Sequence, residues 1–524
     1  MTKRINHIVV VGGGNAGWSV ASLLVDRIHP LSKTKISLIE SKDIPVIGVG
    51  ESTTGQVRRF MNMVQHLNNE EEFLRETGSA FKYGIIHSDW KTVGESFVSP
   101  IGADFYNYTR FPHEHYDYMR IYHVANKLKY DSMYQSQCML QDKVFFMEAE
   151  KNNPYKDLIG EDGYKLLQTD DVGYHLDSYK TGDYLRKKTL ATARVRRYEA
   201  TVDGVLRDEE GYVTSLKLDN GSTIEADLFF DCTGFARLLK LDDNEFVPYE
   251  DQLLLDSTIV FPEVYQENET VKTYTHAKAM KNGWMFEIPL QTRIGRGYNF
   301  SSKYTTAEDA QKEVESSLGR EIDVKRTLTY KTGRVTKFWD KNVVSAGLSS
   351  GFLEPLEATT LHAVLKQVEH FMENYYSNLI DVRNMAIKDQ YNRDMKYFYD
   401  DLRDFIVFHY QNTRQDTEFW RDASDPKRRS KKLQRNLDLW KTRMPRLYDY
   451  SDGTMQNFLA LGNSLWYQVG LGMEIFDPKL AEEELKYYRL EELARNDLER
   501  SKKFSDYCIA RSFTAKDYYE RISK

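Results

Sequence analysis

The tightest constraint on what this chain can fold into lies in its first forty residues. Ile8-Val9-Val10-Val11 is a short continuous apolar run, the pattern of a strand buried on both faces of a parallel sheet. Gly12-x-Gly14-x-x-Gly17 follows at once, residues 16–28 read as a helix, and Ile36-Ser37-Leu38-Ile39-Glu40 reads as a second strand. In that context each glycine has a purpose. Gly12 permits the tight turn, Gly14 lets backbone approach a pyrophosphate, and Gly17 allows close helix–strand packing. Asn15 and Ala16 complete the loop as cofactor-binding positions, and the pyrophosphate rests on the free amides of the helix start. Glu40 ends the second strand, placed to hydrogen-bond a ribose hydroxyl. The unit predicts dinucleotide binding. A second glycine-bearing strand end, Asp231-Cys232-Thr233-Gly234-Phe235, favours FAD over NAD, with an ordinary turn as the alternative for that piece.

At 524 residues the chain is long for one core. Asp203-Gly204-Val205 and Val213–Leu218 predict a small antiparallel meander, Leu228-Phe229-Phe230 a return to a buried strand, and Val343–Gly347 another. Thr258–Phe261 is strand-like, and from about residue 359 the pattern is mainly helical. The expected fold is α/β, a Rossmann-type FAD-binding fold of the flavin monooxygenase kind with an interleaved substrate-binding sheet region and a helical C-terminal part. Residues 1–95, 171–240 and 336–375 are expected to form the FAD-binding domain, and 96–170, 241–335 and 376–524 the substrate-binding and helical region. A net charge of −7 with dispersed basic residues gives no sign of nucleic-acid binding. The densest basic run, 427–432, follows Ser424-Asp425-Pro426 and reads as a solvated helix face starting there. Three cysteines, far apart, give no metal spacing and fit a reducing cytoplasm. No apolar stretch approaches the roughly 20 residues needed to span a bilayer. The expected location is cytoplasmic, with no membrane partner and a homo-oligomer left open.

Chemistry-bearing residues come next. Residues 354–360 read as a strand-to-helix turn whose helix starts with free amides at Thr359 and Thr360, a setting for an anion. Glu354 and Glu357 are three apart, and their spacing alone does not choose between them. Lys82 follows Ala80-Phe81 amid apolar neighbours, where a pocketed lysine can react. Trp284 and Phe286, two apart on a strand, face one side. His362 reads as an ordinary helix residue.

Together these segments resemble the flavin-dependent halogenases of the tryptophan-halogenase family. Its GGGxAGW loop is matched by Gly12-Gly13-Gly14-Asn15-Ala16-Gly17-Trp18 and its GVGEAT by Gly48-Val49-Gly50-Glu51-Ser52-Thr53. Phe81-Lys82-Tyr83-Gly84 matches the lysine motif, Trp284-Met285-Phe286-Glu287-Ile288-Pro289 the WxWxIP, and Gly351 to Thr359 the GFLEPLEST segment. The resemblance implies an oxidoreductase using FAD supplied as FADH2 by a separate flavin reductase, with O2 and a halide ion. Hypohalous acid then passes through a tunnel to Lys82, which presents the halogen to an electron-rich aromatic ring. By the same resemblance Glu357 positions the oxidant and assists loss of the ring proton, and the amides of Thr359 and Thr360 hold the halide. Leu348 and Leu361 lie against the flavin, Val49 and Val195 contact the cofactor, and Trp284, Phe286, Ile288 and Pro289 line the tunnel and substrate side, Trp284 barring substrate from the flavin.

Three residues depart from the family pattern. Phe286 replaces a tryptophan, Ala358 a serine and Thr360 a glycine, which leaves chloride, bromide and iodide all open. Asn457-Phe458 and Trp466-Tyr467 give no match to the segment that grips free tryptophan, so the implied substrate class is an indole, phenol or pyrrole. A flavin-dependent aromatic monooxygenase is the rival enzyme reading, and a non-catalytic FAD-binding scaffold the rival of another kind.

Overall fold

The computed structural model describes residues 5–44, 51–102, 117–145, 153–155, 172–241, 243–267, 269–377, 380–411, 414–450 and 461–524. Val49, assigned above to the cofactor, lies outside them, as do Asn457 and Phe458. The chain forms two compact units, each drawn from three segments: Met1–Gly78, Leu176–Pro248 and Lys331–Asp400 make the first, and Ser79–His175, Tyr249–Tyr330 and Asp401–Lys524 the second. The first boundary falls at 78/79, so the segment of Lys82 belongs to the second unit.

The first unit is built on a six-stranded sheet ordered Trp339–Asp340, Val343–Ser345, Leu228–Asp231, His7–Val11, Lys35–Glu40, Val195–Glu199. All neighbours are parallel except Trp339–Asp340, which closes one edge antiparallel. Ile8, Val9 and Val10 have no exposed surface, as a strand covered on both faces requires. One face carries the predicted meander, Val202–Arg207, Val213–Leu218 and Thr223–Glu225, whose Val213, Leu216, Leu218 and Ile224 pack on Val9, Val11, Ile39, Phe229 and Val343. On the other face lie the helix Asn15–Arg27 and the helix Thr359–Asn374, where Phe371 meets Phe230 and Trp339 edge-on at 5.6 and 5.0 Å. This is the doubly covered α/β layer that the sequence predicts.

The second unit centres on an eight-stranded sheet. Along it run Arg326–Thr329, Ser257–Val260, Arg293–Phe300, Gly283–Pro289, Thr275–Met280, Gly84–Ser88 and Ser96–Pro100, with Glu263–Val264 beside Arg293–Phe300. Only the Thr275–Met280 and Gly84–Ser88 pair is parallel. Period-two alternation sorts the strand Gly283–Pro289. Met285 faces the helix Ala307–Leu318 in a core with Ile259, Tyr298 and Val314, while Trp284, Phe286 and Ile288 face the other way.

The C-terminal part is mainly helical, as expected, and its short strand Ser512–Thr514 pairs antiparallel with Lys143–Phe145. One expectation needs correction. The basic run does not begin a helix at Pro426. Pro426–Arg428 is a single 3-10 turn, and the helix Lys431–Leu439 starts only after Ser430, whose hydroxyl accepts from Leu433 N–H. The run is also not one solvated face. Arg428 forks onto Asp422 at 2.8 Å, and Lys432 reaches Asp401 at 2.5 Å and the Tyr450 carbonyl at 3.0 Å.

Candidate active site

In the first unit the glycine loop has the geometry its sequence demands. Gly12 has φ +115°, a conformation that side chains resist, and a Cβ on Gly17 would collide with the Gly12 carbonyl. A Cβ on Gly14, by contrast, would meet nothing within 4 Å. Gly14 caps the helix Asn15–Arg27 without any side-chain hydrogen bond, so the first amides of that helix remain open. An open helix start over a bare glycine fits a dinucleotide pyrophosphate. Glu40 lies directly beneath Gly13, and its carboxylate accepts from Trp18 Nε1 at 3.0 Å and from the Arg197 guanidinium.

The other predicted cofactor positions divide. Asp231, at the end of its strand, is the organiser of the second glycine turn. It accepts from Thr233 N and Oγ1 at 3.0 and 2.6 Å, from Leu239 N at 2.9 Å, and from Ser349 Oγ at 3.1 Å. Ser349 ties in the turn Gly347–Ser349, and a Cβ on Gly347 (φ +70°) would press on Ala16 and Val364. Leu348 is thereby carried to the glycine loop, and Leu361 lies one turn before Val364 on the same helix. Val195 is not brought there. It opens the edge strand opposite Ile36, at the amino end of the sheet, whereas ligands of parallel sheets bind beyond the carboxyl ends.

The segment Gly351 to Thr360 is a strained turn. A Cβ on Gly351 would clash with Tyr399 and the Gly333 carbonyl. Ala358 adopts φ 56°, a left-handed conformation costing a non-glycine residue about 1 kcal/mol, and caps the following helix with no side-chain bond. Thr359 and Thr360 therefore start their helix with uncapped amides. Glu354 is fully buried and Glu357 is 5% exposed. His362, on the helix Thr359–Asn374, stacks on Phe398 and meets Thr54 Oγ1 at 2.9 Å.

In the second unit Lys82 is 1% exposed. It ends the strand Ala80–Lys82, which pairs antiparallel with Gly173–Leu176 in the register Ala80↔His175, Lys82↔Gly173. Lys82 therefore shares a face with His175 and has a glycine directly opposite, while Phe81 turns the other way to Tyr174 and Tyr518. Burial, and then the Lys82 charge, hold His175 well below the usual imidazole range, and its Nε2 lies 2.9 Å from Thr275 Oγ1. His87 is likewise held low by burial, His409 and Lys82. His87 meets Trp90 edge-on at 5.7 Å, and Trp90 meets Trp284 at 6.5 Å. Trp284 and Phe286 are 6.1 Å apart, and the Phe286 ring covers Gly297 across the strand pair.

Sequence reading missed His87 and His175, which feel the Lys82 charge, and Trp90, which bridges His87 and Trp284. A histidine five residues on and another 93 residues on carry no local signal. Tyr519 was missed too. Its hydroxyl, on the helix Ala515–Ile522, accepts from the Phe81 N–H at 2.7 Å and so fixes the lysine strand. Tyr519→Phe strands that buried donor and is expected to cost about 1–3 kcal/mol of stability, read by denaturant unfolding. An unchanged midpoint would show the strand to be held otherwise.

The sequence model of the tryptophan halogenase family matches residues 7–484. The chain is 30% identical over 470 residues to tryptophan 7-halogenase RebH of Lentzea aerocolonigenes, covering 85% of this chain and 83% of that one. It is 28% identical over 498 residues to tryptophan 6-halogenase ThaL of Streptomyces albogriseolus, covering 90% of each. Among solved structures, BrvH, a flavin-dependent halogenase from Brevundimonas sp. BAL3, superposes with a TM-score of 0.81 at 25% identity over 99% of this chain and 100% of that one. A tryptophan halogenase from Shewanella frigidimarina superposes at 0.86 with 24% identity, over 100% and 98% of the two chains, a likeness of fold. No helix among the described residues is long and apolar enough to cross a membrane. A family match over most of the chain, on the fold that its glycine loop predicts, makes it a member of the tryptophan halogenase family of flavin-dependent enzymes.

Proposed function

We propose that this enzyme halogenates an electron-rich aromatic ring of the indole, phenol or pyrrole type, with Lys82 and Glu357 as its catalytic residues. The observation that carries the reading is Lys82 itself, a lysine almost without solvent, on one strand face with His175 and within the electrostatic reach of His87. When bound, reduced FAD together with O2 and halide supplies hypohalous acid. Gly12, Gly14, Asn15, Ala16, Gly17 and Glu40 would hold the adenosine and pyrophosphate part of that cofactor, and Leu348 and Leu361 would lie on the side of its ring. The uncapped amides of Thr359 and Thr360 take the halide. Trp284, Phe286, Ile288 and Pro289 wall the path to Lys82.

At Lys82 the ammonium hydrogen-bonds the oxygen of hypohalous acid. The ring carbon forms its bond to halogen as the halogen–oxygen bond breaks. The electron pair goes to oxygen, which takes a proton from Lys82 and leaves as water. Glu357 accepts the ring proton, and between turnovers Glu357 gives up its proton to solvent and Lys82 regains one from it. The sum is arene plus hypohalous acid to haloarene plus water. A separate flavin reductase is the transient partner that renews reduced flavin.

Incubation with FAD, a flavin reductase, NADH, bromide and a pool of indoles, phenols and pyrroles tests the reading. Products with the bromine isotope doublet are expected. Oxygenated products without bromine would instead establish the aromatic monooxygenase.

A further inference from the structure

A carboxyl group outside the roles assigned so far stands at the open end of the glycine-loop helix. Glu51 Oε1 accepts from Ser178 Oγ at 2.8 Å, and the carboxyl faces the side chain of Asn15. Asn15 and Ser178 are the first residues of two helices, Asn15–Arg27 and Ser178–Ala191. Those helices pack side by side. Ser22 Oγ and Thr189 Oγ1 are 2.6 Å apart, and a Cβ on Gly182 would stand 3.0 Å from Asn15 Oδ1. Glu51 is thus fixed where the uncapped amides of the first helix await phosphate.

Among the described residues, what faces Glu51 is polar but uncharged. From the first helix it meets Asn15 and from the second Ser178, and no ion pair among the described residues includes it. The neighbouring Asp177 carboxylate is turned to the Lys180 N–H as its helix cap. A carboxylate beside a bound phosphate is a like-charge pair in a poorly solvated place, and one of the two charges must give way. The pyrophosphate diester of a dinucleotide has only strongly acidic groups and stays ionised near neutral pH, so the carboxyl is the group that takes the proton.

We infer that Glu51 enters the cofactor complex as a neutral, protonated acid, so that FAD binding takes up a proton. This rests on the reading of the glycine loop as the FAD site. Burial already raises Glu51 above the usual carboxyl range, and a covering cofactor removes more of its solvent. The sign follows. Protonated Glu51 is the binding form, so affinity falls as pH rises through the value of the free protein and is full below it.

The test uses oxidised FAD and the full chain, with binding followed by flavin fluorescence from pH 5 to 9. The wild-type Kd is expected to rise about tenfold per pH unit on the alkaline side. On that alkaline side, calorimetry in two buffers of different ionisation enthalpy should show uptake of about one proton per FAD. Glu51→Gln, a neutral isostere, should bind with a Kd that no longer depends on pH. A flat wild-type profile with no proton uptake overturns the inference, as does a Gln variant that keeps the wild-type slope. Absence of FAD binding at every pH would overturn the cofactor assignment itself, and the inference with it.

Discussion

Lys82→Ala is expected to remove halogenated product almost entirely, a loss of about a thousandfold or more, while FAD affinity stays within about twofold. The size follows from what is deleted. A positioned charge acting on a developing oxyanion in a water-poor site is worth about 2.7–4 kcal/mol by itself, and in the proposed mechanism the same side chain also presents the halogen. The selectivity follows from place. Lys82 stands on the strand Ala80–Lys82 of the second unit, whereas the glycine loop belongs to the first. Lys82→Met keeps the apolar stem and guards against a packing defect as the cause. Bromide-fed turnover read by mass spectrometry, with FAD titration alongside, checks both halves. Equal loss of FAD affinity would make the residue structural.

Glu357→Gln is expected to lower turnover by about two orders of magnitude, the usual range for losing a general base. The amide keeps size and hydrogen-bonding capacity but cannot accept the ring proton. Glu357 is the last residue of the turn Pro355–Glu357, and the left-handed Ala358 behind it fixes the direction in which the chain enters its helix. The comparison that matters is with Glu354→Gln, three residues earlier and wholly buried. If Glu357→Gln turned over at the wild-type rate while Glu354→Gln did not, the base would be Glu354.

The legible parts of this protein were those whose cause is local. The apolar run 8–11, the glycine loop and Glu40 each follow from a pattern a few residues long, and the structure assembles them as one unit with Gly12 at positive φ. The alternation that puts Trp284 and Phe286 on one face is equally short in range. What stayed hidden depends on register and long-range pairing. Val195 reads as one more apolar residue near a strand, and only the sheet register with Ile36 shows it at the wrong end for a ligand. His175 reaches the Lys82 face through a strand pairing across 93 positions that sequence spacing does not encode. The basic run misled because Pro426 is as good a first residue for a single 3-10 turn as for a full helix.

The bond from Phe81 to Tyr519 spans 438 positions. A ribosome makes Lys82 early and the hydroxyl that secures its strand very late. Until translation has passed Tyr519, the lysine sits on a strand with a loose backbone donor, and a chain clipped before that point keeps it so. The tether therefore acts as a check on completeness: the Phe81 donor beside Lys82 is satisfied only in molecules whose helix Ala515–Ile522 has been made and docked.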